Sequence, residues 1–90
     1  MKTDKEIYNS YFSKNKLRRY TKLKDKNGVK VYEGDILKAD DTNWEVVCIE
    51  GKFMFYNRFL ERFIDYIPLK KVCDIGVVID EVYSYYSKFN

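Results

Sequence analysis

Ninety residues make one domain, because two would leave neither half enough core. Sixteen aromatics (nine Tyr, six Phe, one Trp) exclude a low-hydrophobicity disordered chain, and the lack of histidine removes histidine acid–base catalysis and His-activated nucleophiles. The net charge of +3 is uneven: residues 1–40 hold eleven Lys/Arg against six Asp/Glu (+5), residues 41–90 six against eight (−2).

The N-terminus "MKTDKEIYNSYF" is charged throughout and lacks the apolar core of a signal peptide. No apolar run approaches the roughly 20 residues that span a bilayer, so the expectation is a cytoplasmic protein without a membrane partner. Thr3 followed by Glu6 reads as a capping box, and Ile7, Tyr8, Tyr11 and Phe12 recur at helical spacing. A helix is therefore predicted over residues 4–14.

The basic excess concentrates in "KNKLRRYTKLKDK", with Lys14, Lys16, Arg18, Arg19, Lys22, Lys24 and Lys26. Such a run suits an anionic partner, nucleic acid or an acidic protein surface; the alternative is a solvated connector that keeps a small domain soluble. A first strand is predicted near Tyr20 to Lys24. "DKNG" follows as a turn built on Asn27 and Gly28, then a short strand with Val29 and Val31 on one face. "YEGD" is a second turn through Gly34 and Asp35, and "DILKAD" leaves it as a strand.

"WEVVCIEGKFMFYN" reads as two strands joined tightly at Glu50–Gly51, with Trp44, Val46 and Cys48 on one parity and Phe53 and Phe55 on the return strand. In "RFLERFIDY", Phe59, Leu60, Phe63 and Ile64 are spaced for a short helix over 58–66, which Pro68 ends. "KKVCDIGVVIDEV" reads as a β-branched strand, with Gly76 a bulge or a close backbone approach. The tail "DEVYSYYSKFN" is a short helix or an aromatic wrap. Five or so short strands at this spacing predict a mainly β fold, a small, strongly bent barrel with an N-terminal helix and one short internal helix.

Cys48 and Cys73 lie far apart among apolar neighbours and read as two reduced core cysteines. Without histidine or a third thiol no metal site is expected, and no cofactor motif is present: "GKFMF" lacks what a phosphate loop needs. Asp40–Asp41 and Asp80–Glu81 are carboxylate pairs, but neighbours on a strand point to opposite faces. An enzyme is not expected.

"YTKLKDKNGVKVYEGDIL", Tyr20 to Leu37, resembles the signature of the YopX family of phage and prophage proteins, roughly Y-T-G-L-K-D-K-N-G-K-E-I-Y-E-G-D-I. Tyr20, Thr21, Leu23, Asp25, Asn27, Gly28, Tyr32, Glu33, Gly34, Asp35 and Ile36 fall in place. "DIGVVID" at 74–80 is similar to the family's closing strand. The resemblance covers about residues 20–82 and implies an SH3-like five-stranded barrel, 20–90, of viral or prophage origin, acting in the bacterial host cytoplasm. Lys22 stands where the pattern has glycine, Val77–Val78 replace Asn-Ile, and a helical, basic extension, 1–19, stands in place of the N-terminal portion of larger members.

Two functions follow as expectations. The first is a phage-encoded inhibitor of a host protein or ribonucleoprotein, an anti-CRISPR or other anti-defence protein. The aromatic surplus supports it, since exposed Tyr beside Arg is typical of interface hot spots. Net positive charge argues against DNA mimicry and for an acidic protein face or a bound guide RNA. The alternative is a nucleic-acid-binding small-barrel module taking single strands, or a non-enzymatic accessory phage protein; a homodimer fits either. The candidate contact residues are Lys14, Lys16, Arg18, Arg19, Tyr20, Lys22 and Lys24, with Arg58, Arg62, Tyr83, Tyr85 and Tyr86 as a second set. Asn27, Gly28, Gly34, Asp35, Gly51 and Gly76 are assigned to backbone turns.

Overall fold

The computed structural model describes residues 1–14 and 18–87, with the side chains of 12–14 and 87 left out. In chain order it holds α1 (Asp4–Lys14), β1 (Tyr20–Lys24), β2 (Lys30–Tyr32), β3 (Asp35–Ala39), β4 (Thr42–Ile49), β5 (Lys52–Asn57), β6 (Arg62–Ile64), α2 (Leu69–Ile75), β7 (Val77–Glu81) and α3 (Val82–Ser87). The capping box forms: the Glu6 amide donates to Thr3 Oγ1 (3.2 Å) and the Thr3 amide to Glu6 Oε1 (3.1 Å).

The β architecture differs from the expected barrel. β3 to β7 form one open antiparallel sheet in the order β6-β5-β4-β3-β7, and β1 and β2 form a separate two-stranded ribbon. The physical reason lies at the sheet edges. Rather than pairing with each other, they are capped by carboxylates: Asp4 Oδ2 accepts the Phe63 amide of β6 (3.0 Å), and Asp25 Oδ2 accepts the Val78 amide of β7 (2.9 Å). An amide so occupied is not free for a ladder, which disfavours closure between β6 and β7 and pairing with other chains. No SH3-like arrangement is established.

Both faces of the sheet are covered. On one, Leu37, Val46, Phe55 and Ile64 pack with Val31 of the ribbon and Val72 and Cys73 of α2. On the other, Tyr8 of α1 packs with Val47 and Tyr56, its ring stacked on that of Tyr56 at 3.9 Å and 8°. α1 is thus part of the packed body. Val31 is fully buried, but Val29 sits in the turn and is 49% exposed, so the two do not share a face.

Two segments correct the sequence reading. Residues 58–66 are not a helix: β5 and β6 pair antiparallel, and the chain between them turns where Asn57 Oδ1 accepts the Leu60 amide (2.8 Å) and Glu61 takes φ +56°. Apolar pairs four apart suit a tight hairpin as well as a helix, and here Phe63 and Ile64 turn inward while Phe59 and Leu60 stay exposed. Residues 69–75 are a helix, not a strand. Leu69, Val72 and Cys73 have the i, i+3, i+4 spacing that buries one helical stripe, and this outweighs the β-branched composition. Pro68 is the N-cap of α2 rather than the end of an earlier helix.

Gly28, Gly34 and Gly51 all have positive φ, as their turns require, while Asp35 is the first residue of β3. The acidic pair Asp40–Asp41 is not on a strand, as the sequence reading took it, but supplies the left-handed residues of the β3–β4 hairpin. Gly76 is a close approach: a Cβ there would lie 2.9 Å from the Val72 carbonyl oxygen and 3.1 Å from that of Lys38. Cys48 and Cys73 are buried and free, and burial pushes the Cys73 thiol up to about 11, keeping it protonated. Among the described residues no helix is long and apolar enough to cross a membrane.

Lys22 explains the glycine of the resembling pattern. It has φ +67°, inside a bulge that shifts the β1–β2 register between Tyr20 and Lys24. Lys22→Gly is expected to stabilise the protein by about 0.5–1 kcal/mol, read as a higher urea midpoint at unchanged slope. A lower midpoint would show that this backbone carries no strain.

Asp25 gives a second test. Burial alone would raise its pKa, but the amides of Val78, Val29 and Asn27 outweigh burial and hold it below the ordinary 3.8. The folded chain therefore releases this proton more readily than the unfolded chain, and the resulting stability is present above pH 3.8 and lost below it. Asp25→Asn should lower the melting midpoint at pH 7, and the difference from the parent should shrink on acidification below that value. A gap independent of pH would count against the charged cap.

Candidate functional site

The most organised polar cluster is built on Glu45, in the middle of β4 and 1% exposed. Arg58, in the β5–β6 turn, donates from Nε to Glu45 Oε2 (2.9 Å) and from Nη2 to Glu45 Oε1 (3.2 Å) and to the Tyr8 hydroxyl (2.9 Å). The Tyr8 hydroxyl in turn donates to Glu45 Oε1. Burial, then the Glu45 charge, pushes the Tyr8 phenol far up, so it remains a donor. The Arg58 guanidinium lies 3.8 Å from the Tyr86 ring centroid, and Tyr86 meets Tyr85 edge-on at 5.0 Å. α1, the β5–β6 turn and α3 thus converge on one carboxylate.

Beside this cluster opens a groove of about 670 Å³. Arg58, Tyr85 and Tyr86 line it, with Phe59, Ile79 and the polar rim of Lys38 and Asn43. Phe59 is 93% exposed, and Ile79 in the lining, with Leu60 next to Phe59 and Tyr83 on α3, is exposed as well. The arrangement offers aromatic faces, one guanidinium, the Lys38 ammonium, the Asp41 carboxylate and small polar groups. It presents no activated nucleophile, and among the described residues no cluster of His, Cys, Asp or Glu could hold a metal ion.

Of the second candidate set, Arg58, Tyr85 and Tyr86 are brought together here. Tyr83 is exposed on α3, and Arg62 is exposed on β6; neither lines the groove. Phe59, Ile79 and Lys38 are groove residues that the sequence did not single out. A phenylalanine beside an arginine in a turn was the available signal for the first, masked by the helical spacing of 58–66.

The basic stretch divides. Lys16 and the Lys14 side chain lie outside the described residues. Arg18 binds Asp35 through Nη2 and Glu81 through Nη1 (2.8 Å), donates from Nε to the Glu33 carbonyl (3.0 Å), and lies over the Tyr32 ring. Arg19 reaches Cys48 Sγ with Nη1 (3.2 Å), and its amide donates to Glu33 Oε1 (3.3 Å). Tyr11 also donates its hydroxyl to Glu33. Both arginines thus serve the "YEGD" turn, where Glu33 and Asp35 are buried. Lys22 and Lys24 are exposed on β1, and Tyr20 is half-buried against Tyr32.

A family model described as YopX protein matches residues 1–84, a span that takes in α1 as well as the block from Tyr20 onward. No curated protein and no solved structure matches the chain.

Because Arg58 compensates a buried carboxylate, Arg58→Leu should destabilise the fold by about 1–3 kcal/mol, at the low end for a partly exposed partner. Adding Glu45→Gln should recover part of the loss. A double-mutant cycle in urea with a coupling under about 0.3 kcal/mol would show that the two residues are energetically independent.

Proposed function

The chain belongs to the YopX family and is a phage-type protein; from that premise we propose that it is a non-catalytic binding protein, made in the bacterial host, that inhibits a host factor. Defence nucleoprotein complexes, CRISPR effectors among them, are the target class. The observation that carries the reading is the groove between the β5–β6 turn and α3. Arginine and tyrosine are the residues that dominate binding energy at protein interfaces, and here Arg58, Tyr85 and Tyr86 are held rigid by Glu45 and by each other. Rigid aromatics lose little conformational freedom on binding. Phe59 stands at the edge of the groove with nearly all its surface in water, which suits an anchor that a partner's pocket would cover.

The test is phage plating on hosts with and without an active defence system, with the protein supplied in trans. Phe59→Ser combined with Ile79→Ser should abolish protection, with a shift in stability of only about 0.5 kcal/mol as for other exposed positions. Protection retained in full by this variant would sink the groove assignment. Absence of protection against every defence system tried would sink the inhibitor reading itself.

A further inference from the structure

On the opposite side of the sheet from the groove, the β1–β2 ribbon packs its inner face through Leu23 and Val31 and leaves its outer face in solvent. Two cross-strand pairs set that outer face: Tyr20 opposite Tyr32, and Lys24 opposite Lys30. The rings of Tyr20 and Tyr32 are 5.2 Å apart, with Lys30 Nζ 5.6 Å from the Tyr20 centroid and Arg18 Cζ 5.6 Å from that of Tyr32. Two neighbouring rings are therefore flanked by cations, Arg18 on one side and Lys30, with Lys24 opposite it, on the other. Lys22, thrown outward by the bulge, and Lys26, in the turn, extend this strip.

The charge on this strip is uncompensated. Residues 18–32 hold six Lys/Arg and a single acid, Asp25. That carboxylate is turned inward, both oxygens taken by backbone amides. Arg18 is neutralised by Asp35 and Glu81, but among the described residues Lys22, Lys24, Lys26 and Lys30 form no ion pair. Two lysines directly opposite on neighbouring strands repel, a cost in the free protein that a bound polyanion would remove.

We propose that this outer face of the ribbon binds single-stranded nucleic acid, with the lysines on phosphates and Tyr20 and Tyr32 stacking bases. Cations gathered on one ribbon suit a phosphate backbone, and rings beside them accept any base, which is the chemistry of sequence-tolerant single-strand binding. An acidic protein surface would also satisfy the lysines and could pack on the tyrosines, and the heparin and Tyr20→Ala measurements separate it from a single strand. The inference goes beyond the proposed inhibition and does not depend on it: the two surfaces lie on opposite faces of the sheet.

The probe is a short fluorescein-labelled oligouridylate or oligothymidylate, read by anisotropy with the full chain across a salt series. Saturable binding is expected at low salt, with a log–log salt slope between about −2 and −3 for three or four phosphate contacts. Lys24→Gln with Lys30→Gln should weaken binding by roughly tenfold, and Tyr20→Ala by a similar factor. Lys30→Glu keeps the test independent of folding: it places opposite charges across the strands, so the melting midpoint should hold or rise while binding falls. No saturable binding at low salt, or binding unmoved by the lysine substitutions, would overturn the proposal. So would equal affinity for heparin with Tyr20→Ala neutral, which would identify a surface for anions in general, acidic protein included. A fall in midpoint for Lys30→Glu would overturn the premise of an uncompensated lysine pair.

Discussion

Four carboxylates are buried in the described part of this small fold, Asp25, Glu33, Asp35 and Glu45, and its connections are organised around satisfying them. Taking an ion out of water costs several kcal/mol unless hydrogen bonds and an opposite charge replace hydration. Each carboxylate has such replacements, and each draws them from elements distant in the chain. Asp25 ties the ribbon to β7 through the Val78 amide, Asp35 holds Arg18 and the Tyr32 amide, and Glu45 gathers α1 and the β5–β6 turn. Glu33 takes the Tyr11 hydroxyl from α1. Among the described residues no buried side-chain nitrogen or oxygen lacks a partner. A core of this size has little apolar area to fix the relative placement of seven strands and three helices. Directional charged hydrogen bonds supply that placement.

This constraint decides what a reader of the sequence can see. α1 was legible because its cap, Thr3 with Glu6, is local, and the turns at Gly28, Gly34 and Glu50–Gly51 were legible because positive φ selects its residues locally. The fates of Arg18 and Arg58 were not. Arg18 meets Glu81 from 63 positions away, and Arg58 meets Tyr8 from 50. A run of cations looks the same whether its partners are solvent or distant carboxylates. The barrel expectation failed for a related reason. Strand count and turn spacing say how many strands exist, while closure depends on what lies against the edges, and here two aspartates occupy them.

The two segments misread as secondary structure differ in cause. In 69–75 local composition supported a strand while the burial stripe supported a helix. The stripe prevailed in α2, where Val72 and Cys73 face the sheet. In 58–66 the spacing fitted both elements, and the Asn57 side chain with the left-handed backbone of Glu61 decided for a turn. That turn then does what a helix could not: it brings Arg58 back over Glu45 while projecting Phe59 into solvent.

Charge pairing also makes the two proposed surfaces different in chemistry. The Nε and Nη2 edge of Arg58 is committed to Glu45 and Tyr8, and its face to Tyr86. A ligand carboxylate aimed at Arg58 would have to compete with a buried carboxylate already held in bidentate geometry, which leaves Lys38 on the rim as the cation such a group would meet. What the groove can still reward is apolar and aromatic area against Phe59, Ile79 and the tyrosines. On the far face the balance is reversed. Among the described residues the ribbon lysines form no ion pair, so the proposed binding of an anion there would have no acid to displace. A scattered excess of Lys and Arg that looks uniform in the sequence is therefore split by the fold: Arg18 and Arg58 hold the buried carboxylates of Asp35 and Glu45, while Lys22, Lys24, Lys26 and Lys30 form no ion pair among the described residues.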